Sequence, residues 1–308
     1  MKAILFPGQG SQIVGMGSEF YNNFDKVKDI FKEADEKLKF KISDLILKGP
    51  ETSLRLTENT QPAILTVSYA IYQILIKEFN FDIKNIKYFG GHSLGEYSAL
   101  LCAESLKFTD ALFLLHERGK AMQKAVPVGQ GLMLAILGLN MNEIKDYISK
   151  IKIEKVCEVA NDNADGQVIV SGDKISIESL QNTLKKDKKK SIILPVSAPF
   201  HCSLMKNAAE QMKDKIFSIK FNQPKKEIIS NVTALPETDQ ENIKKLLVEQ
   251  IYSKVRWRET ILYMENNGIN EFIEIGPGKV LSGLVKRITK NRVSLSINSI
   301  EDIKNISK

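Results

Sequence analysis

The sequence predicts an α/β protein built on a largely parallel sheet, with a small β-α-β-β-α-β unit inserted into it. Three observations predict this. Short apolar runs end three times in glycine-rich turns, as "KAILF" before "PGQG", "IKYFGG" before "HSLG" and "NEFIEI" before "GPG". The second and third turns lead straight into helical patterns, "LGEYSALLCA" and "KVLSGLVKRI". The middle of the chain follows a different rhythm, in which strand-like and helix-like segments alternate in the order of a ferredoxin-like split β-α-β unit.

Taken in order, residues 2–6 form a short apolar strand closed by a turn at Pro7. Residues 86–91 form a second strand, followed at once by a helix, and residues 270–275 a third. Strands without polar alternation, joined by helices, belong to sheets covered on both faces. Such sheets gather ligands beyond the carboxyl ends of their strands, where all three glycine turns lie. Between them, "GLMLAILGL", "NEIKDYISKI", "KVCEVAN", "QVIVSG", "ISIESLQNTLKK" and "SIILPVS" spell the inserted unit. The predicted organisation is a catalytic domain of residues 1–127 and 197–308 carrying a ferredoxin-like subdomain of residues 128–196.

Composition narrows the function classes. A chain of 308 residues, 43% hydrophobic and 26% charged, is globular and large enough for one substantial core. Its apolar tracts are too short to span a membrane, and the run before Pro7 is too short for a signal peptide. The three cysteines, Cys102, Cys157 and Cys202, lie far apart without a C-x-x-C, which fits reduced thiols in a cytoplasmic protein. No H-E-x-x-H occurs, so no metal site is expected. The net charge of +7 comes largely from lysine runs such as "LKKDKKK". These lack interleaved aromatics and predict no nucleic-acid surface.

The chemistry begins at "GGHSLGEYSALLCA", where Gly91, Ser93 and Gly95 stand in the spacing G-x-S-x-G. At a strand-to-helix junction this spacing marks a serine pushed into an active site, or else a purely structural small-residue turn. "PGQGSQIVGMG" is not a nucleotide loop: Ile13 stands where a dinucleotide fingerprint needs glycine, and no G-K-[ST] follows. It can instead turn main-chain N–H groups near Gln9 toward a ligand, as an oxyanion hole requires.

A serine nucleophile needs a base, and the chain has three histidines. His92 adjoins Ser93 and points away from it on a sharp turn. His116 falls among Glu117, Lys120, Gln123 and Lys124 on the polar side of a helix opened by Thr109, and is expected to be solvated. That elimination leaves His201, in the loop "LPVSAPFHCSLM". On the same helix as His116, Arg118 falls within the apolar stripe of Ala111, Leu114, Leu115 and Met122. A guanidinium there needs an anion, supplied by a protein carboxylate or by a ligand.

Together these segments resemble the malonyl-coenzyme A:acyl carrier protein transacylases, acyltransferases of bacterial fatty-acid synthesis. The resemblance covers nearly the whole chain. It rests on "FPGQGSQ", "TQPA" at 60–63, "GHSLGEYSAL", "RGKAMQ", "PVSAPFHCSLM", "VEQIYSKVRW" and "EIGPGKVLSGLVKRI". It implies a hydrolase-like core, Ser93 as nucleophile, His201 as base, and the N–H groups of Gln9 and Leu94 as oxyanion hole. It also implies that the main-chain carbonyl of Gln250 orients His201 and that Arg118 binds the malonyl carboxylate. Asn161 and Phe200 would line the cleft, and Lys286 and Arg287 would meet an acidic carrier protein.

The reaction so implied is ping-pong: malonyl passes from coenzyme A to Ser93, then to the phosphopantetheine thiol of acyl carrier protein. Malonyl-coenzyme A is a substrate, no cofactor is expected, and the working unit is expected to be a monomer. Two alternatives keep the fold, a serine esterase or thioesterase and a non-catalytic subunit that docks carrier proteins.

Overall fold

Residues Lys2–Phe6 form β1, and Ala3, Ile4, Leu5 and Phe6 are all buried because the strand lies inside a six-stranded sheet. The computed structural model describes residues 1–306. The remaining strands are β2 (Ile86–Gly91), β3 (Gly131–Leu137), β4 (Cys157–Ala164), β5 (Gln167–Asp173), β6 (Lys190–Ile193), β7 (Glu227–Ile229), β8 (Pro236–Glu237), β9 (Glu271–Ile275) and β10 (Val293–Ile297). The large sheet has the order β10-β9-β1-β2-β7-β8 and is parallel except for the β7–β8 pair.

Side chains alternate across this sheet into two cores. Ile4, Phe6, Phe89 and Ile273 pack with the helix Thr57–Lys77 on one face. Ala3, Leu5, Tyr88 and Phe272 meet Trp257, Ile261, Leu281 and Val285 on the other. The apolar continuity of β1 and β9 follows from burial on both faces. The carboxyl ends of β1, β2 and β9 share one edge of the sheet, so their three glycine turns converge there.

The second sheet has the order β4-β5-β3-β6 and is antiparallel throughout. The helices Met141–Ser149 and Lys174–Lys186 are amphipathic and close a separate apolar cluster over it. Asn140 and Asp173 cap these helices through their side-chain oxygens. Among the described residues no helix is long and apolar enough to cross a membrane.

The helix Phe108–Lys124 begins one residue before the predicted Thr109 and buries Ala111, Leu114, Leu115, Arg118 and Met122 along one face. It touches the Thr57–Lys77 helix closely at Gly119, where a Cβ would come within 2.5 Å of the Glu58 backbone. His116 departs from the sequence expectation. It is partly covered rather than solvated, packs at a tilt against the Phe40 ring, and bonds the Glu58 carbonyl through Nδ1 at 2.9 Å. The reason lies four residues along: Pro62, inside the helix, has no N–H to give that carbonyl. His116 fills the role from a neighbouring helix, which a single-helix projection cannot reveal.

Candidate active site

The elbow is held by close backbone approach. A Cβ on Gly91 would lie 1.9 Å from the Gly95 carbonyl group, and one on Gly95 would lie 2.2 Å from the Phe6 oxygen. Strand, helix and β1 therefore meet only where both residues are glycine. Ser93 between them has φ of 54°, a left-handed conformation that costs a non-glycine residue about 1–2 kcal/mol. Asn231 offsets that cost. Its Oδ1 accepts the Ser93 N–H at 2.7 Å, and its Nδ2 donates to the Gly91 carbonyl at 2.7 Å.

His201 lies on the loop between β6 and the helix Lys206–Ser218, and it too has a left-handed φ, of 58°. Glu158 of β4 fixes the following turn by accepting both the N–H and the hydroxyl of Ser203. Nε2 of His201 stands 2.8 Å from Ser93 Oγ, and Nδ1 stands 2.9 Å from the Gln250 carbonyl oxygen. A carbonyl can only accept, so Nδ1 carries the proton and Nε2 presents its lone pair to the serine hydroxyl. Burial, and then the Arg118 charge, hold the imidazole down to about 3, so it is a free base at neutral pH.

Arg118 is 1% exposed and reaches the same hydroxyl, with Nη2 3.1 Å from Ser93 Oγ. Its other hydrogen bonds go to the carboxamide oxygens of Gln61 and Gln250, each at 2.8 Å, and its guanidinium lies 5.7 Å from the centre of the Tyr97 ring. Its Nε is buried without an acceptor among the described residues. The Gln250 amide also donates to the Ser93 carbonyl at 3.0 Å and to Glu96 at 2.8 Å. Glu96 accepts the Asn231 N–H at 3.0 Å, and burial pushes its carboxyl up to about 7.

The structure brings Ser93, His201, Arg118 and Gln250 together. The N–H groups of Gln9 and Leu94 donate to no protein acceptor among the described residues, and Leu94 precedes the first turn of the helix Gly95–Cys102. His92 turns the other way, bonding Asn163 at 2.9 Å and packing its ring at a tilt against Trp257. Asn161 is buried on β4 beside Val255, and Phe200 packs into the main core. Neither hydrogen-bonds the serine, histidine or arginine among the described residues. Lys286 and Arg287 are exposed on the helix Val280–Ile288, where Arg287 reaches Gln167.

Sequence reasoning missed Gln61, Glu96, Asn231 and the Gln250 side chain. Three are uncharged amides on separate segments. Gln61 and Glu96 do fall inside the quoted "TQPA" and "GHSLGEYSAL", the only sequence signal for either.

The acyl transferase domain family matches residues 4–305. The chain is 42% identical to the malonyl CoA-acyl carrier protein transacylase of Bacillus subtilis (strain 168), over 98% of this chain and 94% of that protein. Its structure resembles the acyl-carrier-protein-S-malonyltransferase from Bartonella henselae, with TM-score 0.96 and 41% identity over 99% and 98% of the chains. It equally resembles a malonyl-transacylase solved in complex with its type II PKS acyl-carrier protein, with TM-score 0.95 and 37% identity over 99% and 98% of the chains. An elbow serine, a histidine free base and a buried arginine on one hydroxyl thus sit in a chain that belongs to the acyl transferase domain family, among the malonyl CoA-acyl carrier protein transacylases.

Proposed function

We propose that the protein transfers malonyl from malonyl-coenzyme A to the phosphopantetheine thiol of acyl carrier protein through a malonyl-Ser93 ester. One observation carries this reading: a buried guanidinium with no carboxylate partner among the described residues lies 3.1 Å from the serine hydroxyl that His201 can deprotonate. An acyl group on that oxygen with a terminal carboxylate would find its counter-charge there.

In the first half-reaction Ser93 Oγ gives its proton to His201 Nε2 and attacks the thioester carbon. The new oxyanion is held by the N–H groups of Gln9 and Leu94. The Gln250 carbonyl accepts the Nδ1–H of the imidazolium and keeps it aligned. Arg118 favours the developing alkoxide and disfavours protonation of His201, which speeds return of the proton to the departing coenzyme A sulfur. In the second half-reaction His201 takes the proton of the carrier thiol, the sulfur attacks the ester, and Ser93 regains its proton.

Residues 128–196 form the subdomain, with Asn161 and Phe200 lining the cleft, and Lys286 and Arg287 meet the acidic carrier. A relative solved with its acyl-carrier protein supports a carrier partner. The working unit is taken as a monomer, and the buried free thiols fit the cytoplasm. Neither step calls on a cofactor.

The test is intact-mass measurement after mixing with malonyl-, methylmalonyl- and acetyl-coenzyme A. A malonyl adduct that disappears on adding acyl carrier protein, with malonyl-carrier formed, is expected. Release of free malonate at the rate of adduct formation, with or without carrier, would make the protein a thioesterase instead.

A further inference from the structure

The hydrogen-bond acceptors of Arg118 are oxygens of neutral groups, yet the buried Glu96 carboxylate lies one carboxamide away. Gln250 accepts the Arg118 Nη2–H on Oε1 at 2.8 Å and donates Nε2–H to Glu96 Oε2 at 2.8 Å. Its amide dipole is therefore aligned between cation and anion. The reversed amide would set N–H against N–H at the guanidinium, and oxygen against both the Glu96 carboxylate and the Ser93 carbonyl. Glu96 is 3% exposed, so its charge is lost to no solvent shell.

We propose that Glu96 is a positioning residue that serves as the counter-charge of Arg118, relayed through Gln250, until a substrate carboxylate docks, and that it then takes a proton from solvent. This rests on the reading of Arg118 given under Proposed function. Charge balance supplies the reason. With malonyl docked, the pocket would hold one cation and two anions, and protonating Glu96 restores one of each. The neutral carboxyl keeps an oxygen to accept the Asn231 and Gln250 N–H groups, so the scaffold survives the change.

The neighbouring ionisable groups leave this role to Glu96. Tyr97 on the same helix is pushed up to about 12 by burial, and His201 is held down to about 3. His92 on the elbow is lowered by burial, and Arg118 from the facing helix stays cationic. Burial already brings Glu96 to about 7, so uptake of its proton near neutral pH is easy.

The test compares acylation kcat/KM for malonyl- and acetyl-coenzyme A between about pH 5.5 and 8.5. The ratio cancels His201, which both acyl groups need. In the unaltered protein the malonyl-to-acetyl ratio should fall above pH 7, approaching about tenfold per pH unit. Glu96→Gln keeps an acceptor oxygen without charge, and should make the ratio independent of pH, at or above the acidic value of the unaltered protein. The same slope in Glu96→Gln, or a flat ratio in the unaltered protein, would overturn the proposal.

Should Glu96→Gln not fold, binding to Ser93→Ala protein decides. In lightly buffered solution malonyl-coenzyme A should draw more protons than acetyl-coenzyme A, whose phosphates are identical, and equal uptake overturns the proposal. Absence of any malonyl adduct on the unaltered protein would overturn the transacylase reading, and this proposal with it.

Discussion

Ser93 and His201 face each other at 2.8 Å, and both hold the left-handed backbone that glycine ordinarily occupies. Each is pinned from a distant segment, Ser93 by Asn231 and His201 by the Gln250 carbonyl. Their alignment is therefore a property of the assembled fold.

Because the histidine is the free base in this pair, His201→Ala should slow acylation by roughly 10²–10⁴-fold, and Ser93→Ala should abolish the adduct. An imidazole held near 3 is already neutral at mildly acidic pH. Acetyl-coenzyme A acylation should accordingly change little between about pH 8 and 5. A base with the ordinary value of ~6.5 would lose about thirtyfold over that range. Stability should move the opposite way. Unfolding lets His201 and His92 bind protons that the fold refuses, so below about 6.5 the folded state loses stability as pH falls toward 3. Denaturant titrations at several pH values measure this, and His201→Ala should shallow the slope.

Arg118→Ala should separate the acyl groups. Removing one partner of a buried charge pair costs about 3–5 kcal/mol, so malonyl transfer should fall by roughly two to three orders of magnitude. Acetyl transfer has no carboxylate to lose and should fall far less. Equal losses would mark Arg118 as a support for Gln61 and Gln250 alone.

The elbow glycines should behave unlike a glycine in open space. Gly91→Ala and Gly95→Ala each drive a Cβ into backbone, and should destabilise the protein by about 3 kcal/mol or more. Gly283 is helical and, among the described residues, nothing lies within 4 Å of its would-be Cβ. Gly283→Ala should stabilise by about 0.4–1 kcal/mol. Chemical denaturation of the three variants gives the ordering directly.

His116 and Pro62 should be coupled in stability and silent in chemistry. His116→Ala leaves the Glu58 carbonyl without its donor, at about 1 kcal/mol. Pro62→Ala restores a helix N–H that can reach the same oxygen. A double-mutant cycle should therefore show His116→Ala costing less in the Pro62→Ala background. Identical costs in both backgrounds would sever the proposed link.

By itself the sequence determined the strands that carry the glycine turns, the elbow, and the buried place of Arg118. Each of these is written locally, in an apolar run, a G-x-S-x-G spacing or a helical stripe. It did not show β7, three residues long, or β10, whose "VSLSI" leaves Val293 and Leu295 exposed at the sheet edge. It also put His116 in solvent, since the carbonyl that His116 serves belongs to another helix.

Only the tertiary structure decided which neutral groups hold the charged ones. Gln61, Asn231 and Gln250 carry no charge or period of their own, and matter because helices and loops from far along the chain bring their amides to Arg118, Ser93 and Glu96. A hydrogen bond depends on tenths of an ångström and on which end of an amide faces inward, and neither is fixed until the backbone has closed around it.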